Sequence, residues 1–525
     1  MSLTSPVDPG QLSPIRESSR ARATIITFIV LSIWLGLVVF TATRHEFWRD
    51  EVRALSLARA ADSPLDLYTL VRYDGHPLLW YLVLFLGTSI VDTPLVLPIA
   101  SIIIAFAAVA IFMWFAPFPL WFRCAFIFGA LPVFEYSVMA RNYGISMLLL
   151  FLAAILYRTR ATQPLRLAFV LALLANTNVH SAMFAGLLAA VWAWDIAAGR
   201  GPALVASGWR RYLPLGVVLA GILLCFLSTA PRENTVLTPV RDSARVNQIG
   251  PALRRAVLRP DLTFPDLTPS WVRPKPASLV LYGAIAGLFM RPNLLLAALA
   301  AQTAFGVFFH VVYAGRFRHQ GLYLVFLVFL YWLYIESPGV RAWSGVKRLG
   351  LRGGLFGALL VLVLFDLGRA PRRVWADITG TRSASEAFGV FLRESPQFHD
   401  AVIVPEPAFS MESLPYYAGN RIYLPREARF GTTVSWTTAS KEHLTLGEML
   451  RAARAVRSGS GRPVLIVLSP TTLDRDAGQK MIAYGKVFSW TAEETAQFRS
   501  ATSLLRDFDA SEGDEDYRVF VLDES

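Results

Sequence analysis

Residues 44–82 read RHEFWRDEVRALSLARAADSPLDLYTLVRYDGHPLLWYL. The stretch joins two apolar runs, Ile25–Phe40 and 77–91. In its first half, Val52, Leu55 and Ala58 or Arg59 recur at helical spacing, with Arg49 and Arg53 available to lipid headgroups. That pattern predicts a helix lying in the membrane interface. In its second half, Asp62 or Ser63 suits an N-cap, Pro64 a first helical position and Gly75 a terminator. Two short helices lying flat on one membrane face are therefore expected. Asp50 and Glu51 stand where the chain leaves the first apolar run, and adjacent carboxylates there need a polar lumen.

Composition sets the wider frame. The 525 residues are 54% hydrophobic, too apolar for a soluble chain of this length. Apolar runs approach the roughly 20 residues a helix needs to cross the hydrocarbon core. The expectation is a polytopic α-helical membrane protein with about 11–13 crossings. The formal charge of +12 reflects Lys and Arg gathered in short loops. Such loops set membrane orientation, so nucleic acid is not an expected partner and the lipid bilayer is. Cys124 and Cys225 lie inside apolar runs and read as inert core thiols.

Loop charge divides the chain by side. Arg158, Arg160 and Arg166, then Arg200, Arg210 and Arg211, then Arg341, Lys347, Arg348 and Arg352 mark cytoplasmic loops. With residues 1–22 as a cytoplasmic tail, the opposite face receives Arg141, NTNVHS (176–181), a loop over 231–275 and GRFRHQG (315–321). Parity requires that one of the runs 77–91, 95–115 and 119–134 does not cross, and the short 77–91 run is the leading candidate. The transmembrane domain is expected over 23–369, with 44–76 as its first periplasmic loop. Residues 370–525 are more polar, with strands expected at 401–407, 421–427, 463–469 and 517–523 and a helix at 444–456. They read as a periplasmic α/β domain.

Spacing alone leaves Asp50 open between a general base and a helix cap or partner of Arg53. Glu51 reads first as a supporting charge, and His76 equally as a solvated helix-start residue or a site group.

FWRDE (47–51) followed by YDGHPLLWYL (73–82) resembles the first extracytoplasmic loop of the GT-C superfamily of membrane glycosyltransferases, of the aminoarabinose-transferase and protein O-mannosyltransferase kind. ARNYGISMLLLFL (140–152) is similar to a later Arg-containing helix start of that superfamily, and SLPYYAGNRIYL (413–424) to part of the periplasmic domain of aminoarabinose transferases. Residues 76–79 are His-Pro-Leu-Leu, so the two prolines and lysine of a true protein O-mannosyltransferase are missing.

The resemblance implies inverting transfer of a sugar from a polyprenyl-phosphate carrier to an acceptor hydroxyl on a glycolipid, glycan or protein. It places the reaction on the outer face of the inner (plasma) membrane. Phosphate leaves as a stable anion, so one base suffices where glycoside hydrolysis uses two carboxylates. Asp50 is the expected base, with Glu51 beside it as a supporting or metal-adjacent group, since some relatives use a divalent ion. No close His/Cys ligand spacing marks a metal site. His76, Arg141, Tyr143, His180, Arg316, Arg318 and His319 are the expected substrate contacts, with Arg254, Arg255 and Arg259 weaker candidates. No P-loop or dinucleotide fingerprint points to a soluble nucleotide sugar. An oligosaccharide ligase or polymerase using the same carrier is the alternative. A transporter or flippase ranks lower, because no paired repeat appears.

Overall fold

The computed structural model describes residues 14–199, 208–230, 247–268, 274–337, 346–510 and 513–523. Residues 231–246 and 269–273 of the expected 231–275 loop, Arg200 and Arg341 fall outside these residues, as do the side chains of Lys347, Arg348 and Arg352. The membrane part is a bundle of helices: α1 Pro14–Ala42, α2 Arg49–Ala60, α3 Pro64–Val71, α4 Leu79–Ile90, α5 Val96–Phe115, α6 Leu120–Ile127, α7 Tyr143–Tyr157, α8 Pro164–Ala175, α9 Val179–Ala197, α10 Leu213–Thr229, α11 Ile249–Leu258, α12 Pro274–Ala286, α13 Pro292–Val311, α14 Phe317–Glu336 and α15 Val346–Thr379.

Among the described residues, six helices are long and apolar enough to cross a membrane, and four apolar helices are shorter. Among the described residues, full-length helices alone therefore do not make up the expected total of about 11–13 crossings. Pro164, Asn176 and the turn before Tyr143 cut apolar runs into helices of 12 to 15 residues, roughly 18–22 Å long. Outward-facing Ile25, Phe28, Ile29 and Ile33 on α1 and Leu219, Leu223 and Phe226 on α10 form the apolar exterior that a bilayer covers.

The central element is α14. Its sequence is apolar all round, and from Leu322 to Leu333 every side chain is buried, as expected of a helix enclosed by others. Phe184 of α9 stacks on Phe326 at 4.2 Å. At Gly321, a Cβ would collide with Leu131 and the Tyr136 hydroxyl, so only glycine lets the 131–136 segment lie against α14. That segment is a π-helical turn, Leu131–Glu135, whose leading N–H is accepted by the buried Asp366 carboxylate at 3.2 Å. Such a turn interrupts regular helix bonding, often at a functional site.

The short run 77–91 forms α4, and both its ends lie beside the short helices α2 and α3. Asp74, ahead of it, binds Arg53 of α2 at 2.5 Å, and Asp92, beyond it, binds Arg59 of α2 at 2.6 Å. α4 folds back over α2 instead of traversing the bundle. Ser63 caps α3 by accepting from the Asp66 N–H at 3.2 Å, with Pro64 in the first turn.

The change at residue 370 is not a structural boundary. α15 continues through Pro371 to Thr379, a rod of about 51 Å, so the C-terminal domain starts about ten residues later. Its main sheet has the order β1-β5-β9-β8: Val402–Glu406, Val464–Leu468, Tyr517–Leu522 and Thr502–Phe508. β1 and β5 are parallel, joined through the helix Leu446–Ser460, while β9 and β8 add antiparallel. Ile403, Leu465 and Val467 enter one core, and Val402, Val404, Val464 and Ile466 enter the other. Burial on both faces explains the unbroken apolar runs of β1 and β5. In the 421–427 segment, only Tyr423–Leu424 forms a strand (β2), paired with Arg429–Phe430 (β3). Three further strands, β4 His443–Thr445, β6 Gly478–Met481 and β7 Val487–Trp490, form a small separate sheet.

Candidate active site

Asp50 occupies the first turn of α2. Arg141, just ahead of α7, donates to its Oδ2 at 2.6 Å, and Arg318, in the first turn of α14, approaches the same oxygen at 3.7 Å. The Asp50 side chain keeps 38% exposure, against 12% for Arg141 and 13% for Arg318. The carboxylate can therefore be reached while its cations are held. Burial opposes ionisation, but the charges of Arg141, Arg318 and Arg49 outweigh it and bring the Asp50 pKa down to about 2. Arg318 lies over the Trp48 ring at 5.3 Å, and its Nε is buried without a hydrogen-bond partner.

α7, α9 and α14 all begin at this end of the bundle, bringing three helix N-termini and their unpaired amides to one place. Tyr143 opens α7, with its ring 5.8 Å from Tyr136 and 5.5 Å from His319. His180 follows the Asn178 cap of α9, whose side chain accepts from the Ser181 N–H at 2.9 Å. The His180 ring is buried among Phe305, Phe308, Phe309 and His319, and neither ring nitrogen has a hydrogen bond. His319 Nδ1 accepts from the Arg316 N–H at 2.9 Å. The neutral ring thus carries its proton on Nε2, 2.7 Å from the Tyr313 hydroxyl.

His76 reaches the cluster from the turn at Gly75, whose φ of 71° favours glycine. Its imidazole is half-buried in the fields of Asp74, Arg141 and Asp50. Burial lowers its pKa below the usual value, Asp74 opposes that fall and Arg141 adds to it. The Arg316 side chain is exposed while its backbone N–H is held by His319, and Arg318 is the α14 arginine that pairs with Asp50. Arg254, Arg255 and Arg259 lie in or just after α11, where Arg259 pairs with Asp261 at 2.9 Å.

Glu51 departs from the expected role beside Asp50. It is fully buried and accepts from the Ala140 N–H at 2.7 Å. His45 Nε2 lies 3.1 Å from Glu51, and His45 Nδ1 lies 3.0 Å from Asp377 on α15. Burial lowers the His45 pKa, but its two carboxylate neighbours overcome that and push it up to about 9. Glu51 therefore ties α2 to the Ala140 backbone and, through His45, to α15. The residues present do not fit a divalent ion at this pair. Asp50 faces two guanidiniums that would repel a cation, and Glu51 is turned into the protein.

Arg49 and Arg53, expected to meet lipid headgroups, are instead paired within the protein, and several of their partners were not singled out from the sequence. Arg53 binds Asp74 and also Glu412 of the C-terminal domain, each at 2.5 Å. Tyr81 donates a hydrogen bond to Asp74. Arg49 binds Asp514 at 2.6 Å, its backbone N–H donates to Glu515 at 2.9 Å, and the Tyr417 hydroxyl accepts from the Phe47 N–H at 2.5 Å. Asp74 and Trp48 lie within the strings YDGHP and FWRDE, so their local signal was present. Tyr313, Glu412 and Glu515 had none.

Beside the cluster, an apolar groove of about 780 Å³ follows α13 past Leu299, Thr303 and Val307 to Phe308 and Val311, with Met183 of α9 on its other wall. Phe308 also touches His180, at 5.2 Å between rings.

No family model matches the chain, and no curated protein sequence matches it. Among solved structures, the chain is similar to the crystal structure of ArnT from Cupriavidus metallidurans bound to undecaprenyl phosphate, with 12% identity, a TM-score of 0.46 and coverage of 96% of this chain and 98% of that one.

Proposed function

We propose that the chain is an inverting glycosyltransferase that moves a sugar from a polyprenyl-phosphate carrier to an acceptor hydroxyl at the extracytoplasmic face of a cell membrane. One observation carries this reading: Arg141 and Arg318 converge on the reachable Asp50 carboxylate where three helices begin. Two guanidiniums and three helix N-termini suit a phosphate, and the single carboxylate suits removal of one proton. The groove ending at Phe308 offers a polyprenyl tail an apolar path toward His180. A cluster at one end of the bundle, not midway through it, favours transfer over transport.

In this mechanism the carrier phosphodiester enters between Arg141 and Arg318 and competes with Asp50 for their donors. Asp50 then loses part of the charge that holds its pKa down, so donor binding makes it a better base. The acceptor oxygen attacks the anomeric carbon from the side opposite the phosphate, and the C–O bond to phosphate breaks. The hydroxyl proton passes to Asp50. The second negative charge that appears on the departing phosphate is met by the two guanidiniums. A single displacement inverts the anomeric centre. Arg158, Arg160, Arg210 and Arg211 belong to loops remote from the cluster, which supports an extracytoplasmic placement of the site and the C-terminal domain.

The test is mass analysis of envelope glycans and lipids from cells with the gene, without it, and with Asp50→Asn. A sugar increment present only with the intact gene is expected. Identical profiles in all three would remove the assignment.

A further inference from the structure

The end of the bundle remote from Asp50 holds a second polar site. A cavity of about 100 Å³ is lined by Tyr157, Arg158, Arg160, Arg291, Leu333 and Glu336, with room for several water molecules and hence for a phosphate group. Two of its arginines are satisfied. Arg158 donates to Glu336 at 2.7 Å, and Arg160 donates to Asp195 at 3.1 Å and to the Tyr157 carbonyl at 2.6 Å. Arg291 is not. Its side chain is only 18% exposed, it makes no side-chain hydrogen bond among the described residues, and its Nε is buried without a partner. Among the described residues its ion-pair neighbour is Asp195, at 3.5 Å. That carboxylate already accepts from Tyr157 at 2.9 Å, Asn293 at 2.9 Å and Arg160.

A guanidinium whose Nε–H is buried without an acceptor, and whose other donors face the cavity, is costly unless something completes it. Three guanidiniums here face the carboxylates of Glu336 and Asp195, leaving one positive charge. Arg291 also precedes Pro292 at the start of α13, whose N-terminal amides favour an anion. Leu333 supplies an apolar wall next to these donors, the mixture presented at a membrane surface. Basic pockets between membrane helices take anionic lipid headgroups in this way.

We propose that the Arg158–Arg160–Arg291 pocket binds a phosphate group, carried by an anionic phospholipid of the leaflet opposite the Asp50 site. The phosphate occupies the free donors of Arg291, and the acyl chains lie along the outer surface of the bundle.

Full-length protein in detergent is offered equal amounts of phosphatidylglycerol and phosphatidylcholine, and bound lipid is counted by native mass spectrometry. Preferential retention of phosphatidylglycerol is expected. Arg291→Gln removes one phosphatidylglycerol from the distribution, with affinity for that lipid down roughly tenfold, while Arg462→Gln on the C-terminal domain leaves the count unchanged. Arg291→Lys, which keeps the charge but loses the fork, gives an intermediate loss. Equal retention of the two lipids by wild-type protein would overturn the proposal, and that comparison needs no variant to fold. Loss of nothing in a folded Arg291→Gln protein would overturn it too. A parallel arm titrates inorganic phosphate and follows thermal unfolding. Stabilisation by phosphate without any headgroup preference refutes the lipid source and leaves a soluble phosphate as the occupant.

Discussion

Replacing Asp50 by Asn removes a charge from the site while keeping its shape, and the structure indicates how two effects should differ in size. The fall in the Asp50 pKa from 3.8 to about 2 corresponds to about 2.4 kcal/mol of favourable charge interaction. The side chain is 38% exposed, so solvent screening reduces this to about 1 kcal/mol. The depressed pKa contributes stability above about pH 4, and that contribution is lost as pH falls through about 2. At neutral pH the variant should therefore unfold within a few °C of wild type. Loss of a general base costs about 10²- to 10⁴-fold in rate, or about 3 to 5 kcal/mol of barrier. Activity should collapse while the fold persists. The assay is transfer of radiolabelled sugar from the carrier lipid by detergent-purified protein, beside a thermal unfolding curve of the same sample. Activity within tenfold of wild type would remove Asp50 as the base. Loss of activity together with gross unfolding would show instead that its pairing with Arg141 is a structural necessity.

Glu51→Gln should reverse that pattern: breaking a buried charge contact costs about 3–5 kcal/mol, yet the protein that remains folded should keep activity within about tenfold, checked as turnover per folded molecule. Arg318→Gln should raise the apparent donor KM about tenfold or more with less effect on acceptor KM, whereas Arg316→Ala should change neither; steady-state kinetics with each substrate varied decides between the two arginines. The raised His45 pKa makes a stability contribution that is complete below about pH 6.5 and is lost as pH rises through about 9. Unfolding temperature should accordingly fall between pH 7 and 10, and His45→Gln should flatten that dependence. Deleting residues 513–525 removes the Arg49 contacts to Asp514 and Glu515; transfer should be lost while the deletion protein still inserts in membranes, as measured by carbonate extraction.

What could be read before the structure was local. The Ser63–Pro64 start, the turn at Gly75 and the unbroken apolar runs of β1 and β5 depend on neighbours a few residues away. Loop charge assigned Asp50, His76, Arg141, His180, Arg318 and His319 to one face, and the structure gathers these six. Parity made 77–91 the leading candidate for a run that does not cross, and it forms the short helix α4 packed over α2. The division of labour between Asp50 and Glu51 could not be read, because it depends on His45 meeting Asp377, 332 positions away. The same distance problem hid Arg53–Glu412 and Arg49–Glu515. The boundary at 370 was misplaced for another reason: hydropathy falls there, but α15 simply leaves the apolar region and stays helical. The edge strand β8, TSLLRDF, escaped notice because four of its seven residues are polar or charged.

The tie between Arg49 and residues 514–515 has a consequence for the order of events in biosynthesis. Arg49 follows α1 closely, and its partners are made 465 positions later. At about 5–20 residues per second, roughly 25–90 seconds of synthesis separate them. During that interval the membrane helices can insert and Asp377 and Glu412 are made, but the loop bearing Asp50 still lacks its Asp514 and Glu515 anchors. A ribosome-bound chain lacking the final strand should therefore hold an inserted bundle with an unfinished first loop. Competence would arrive once residues 514–515 are made, so that segment sets the timing for a site encoded 465 positions before it.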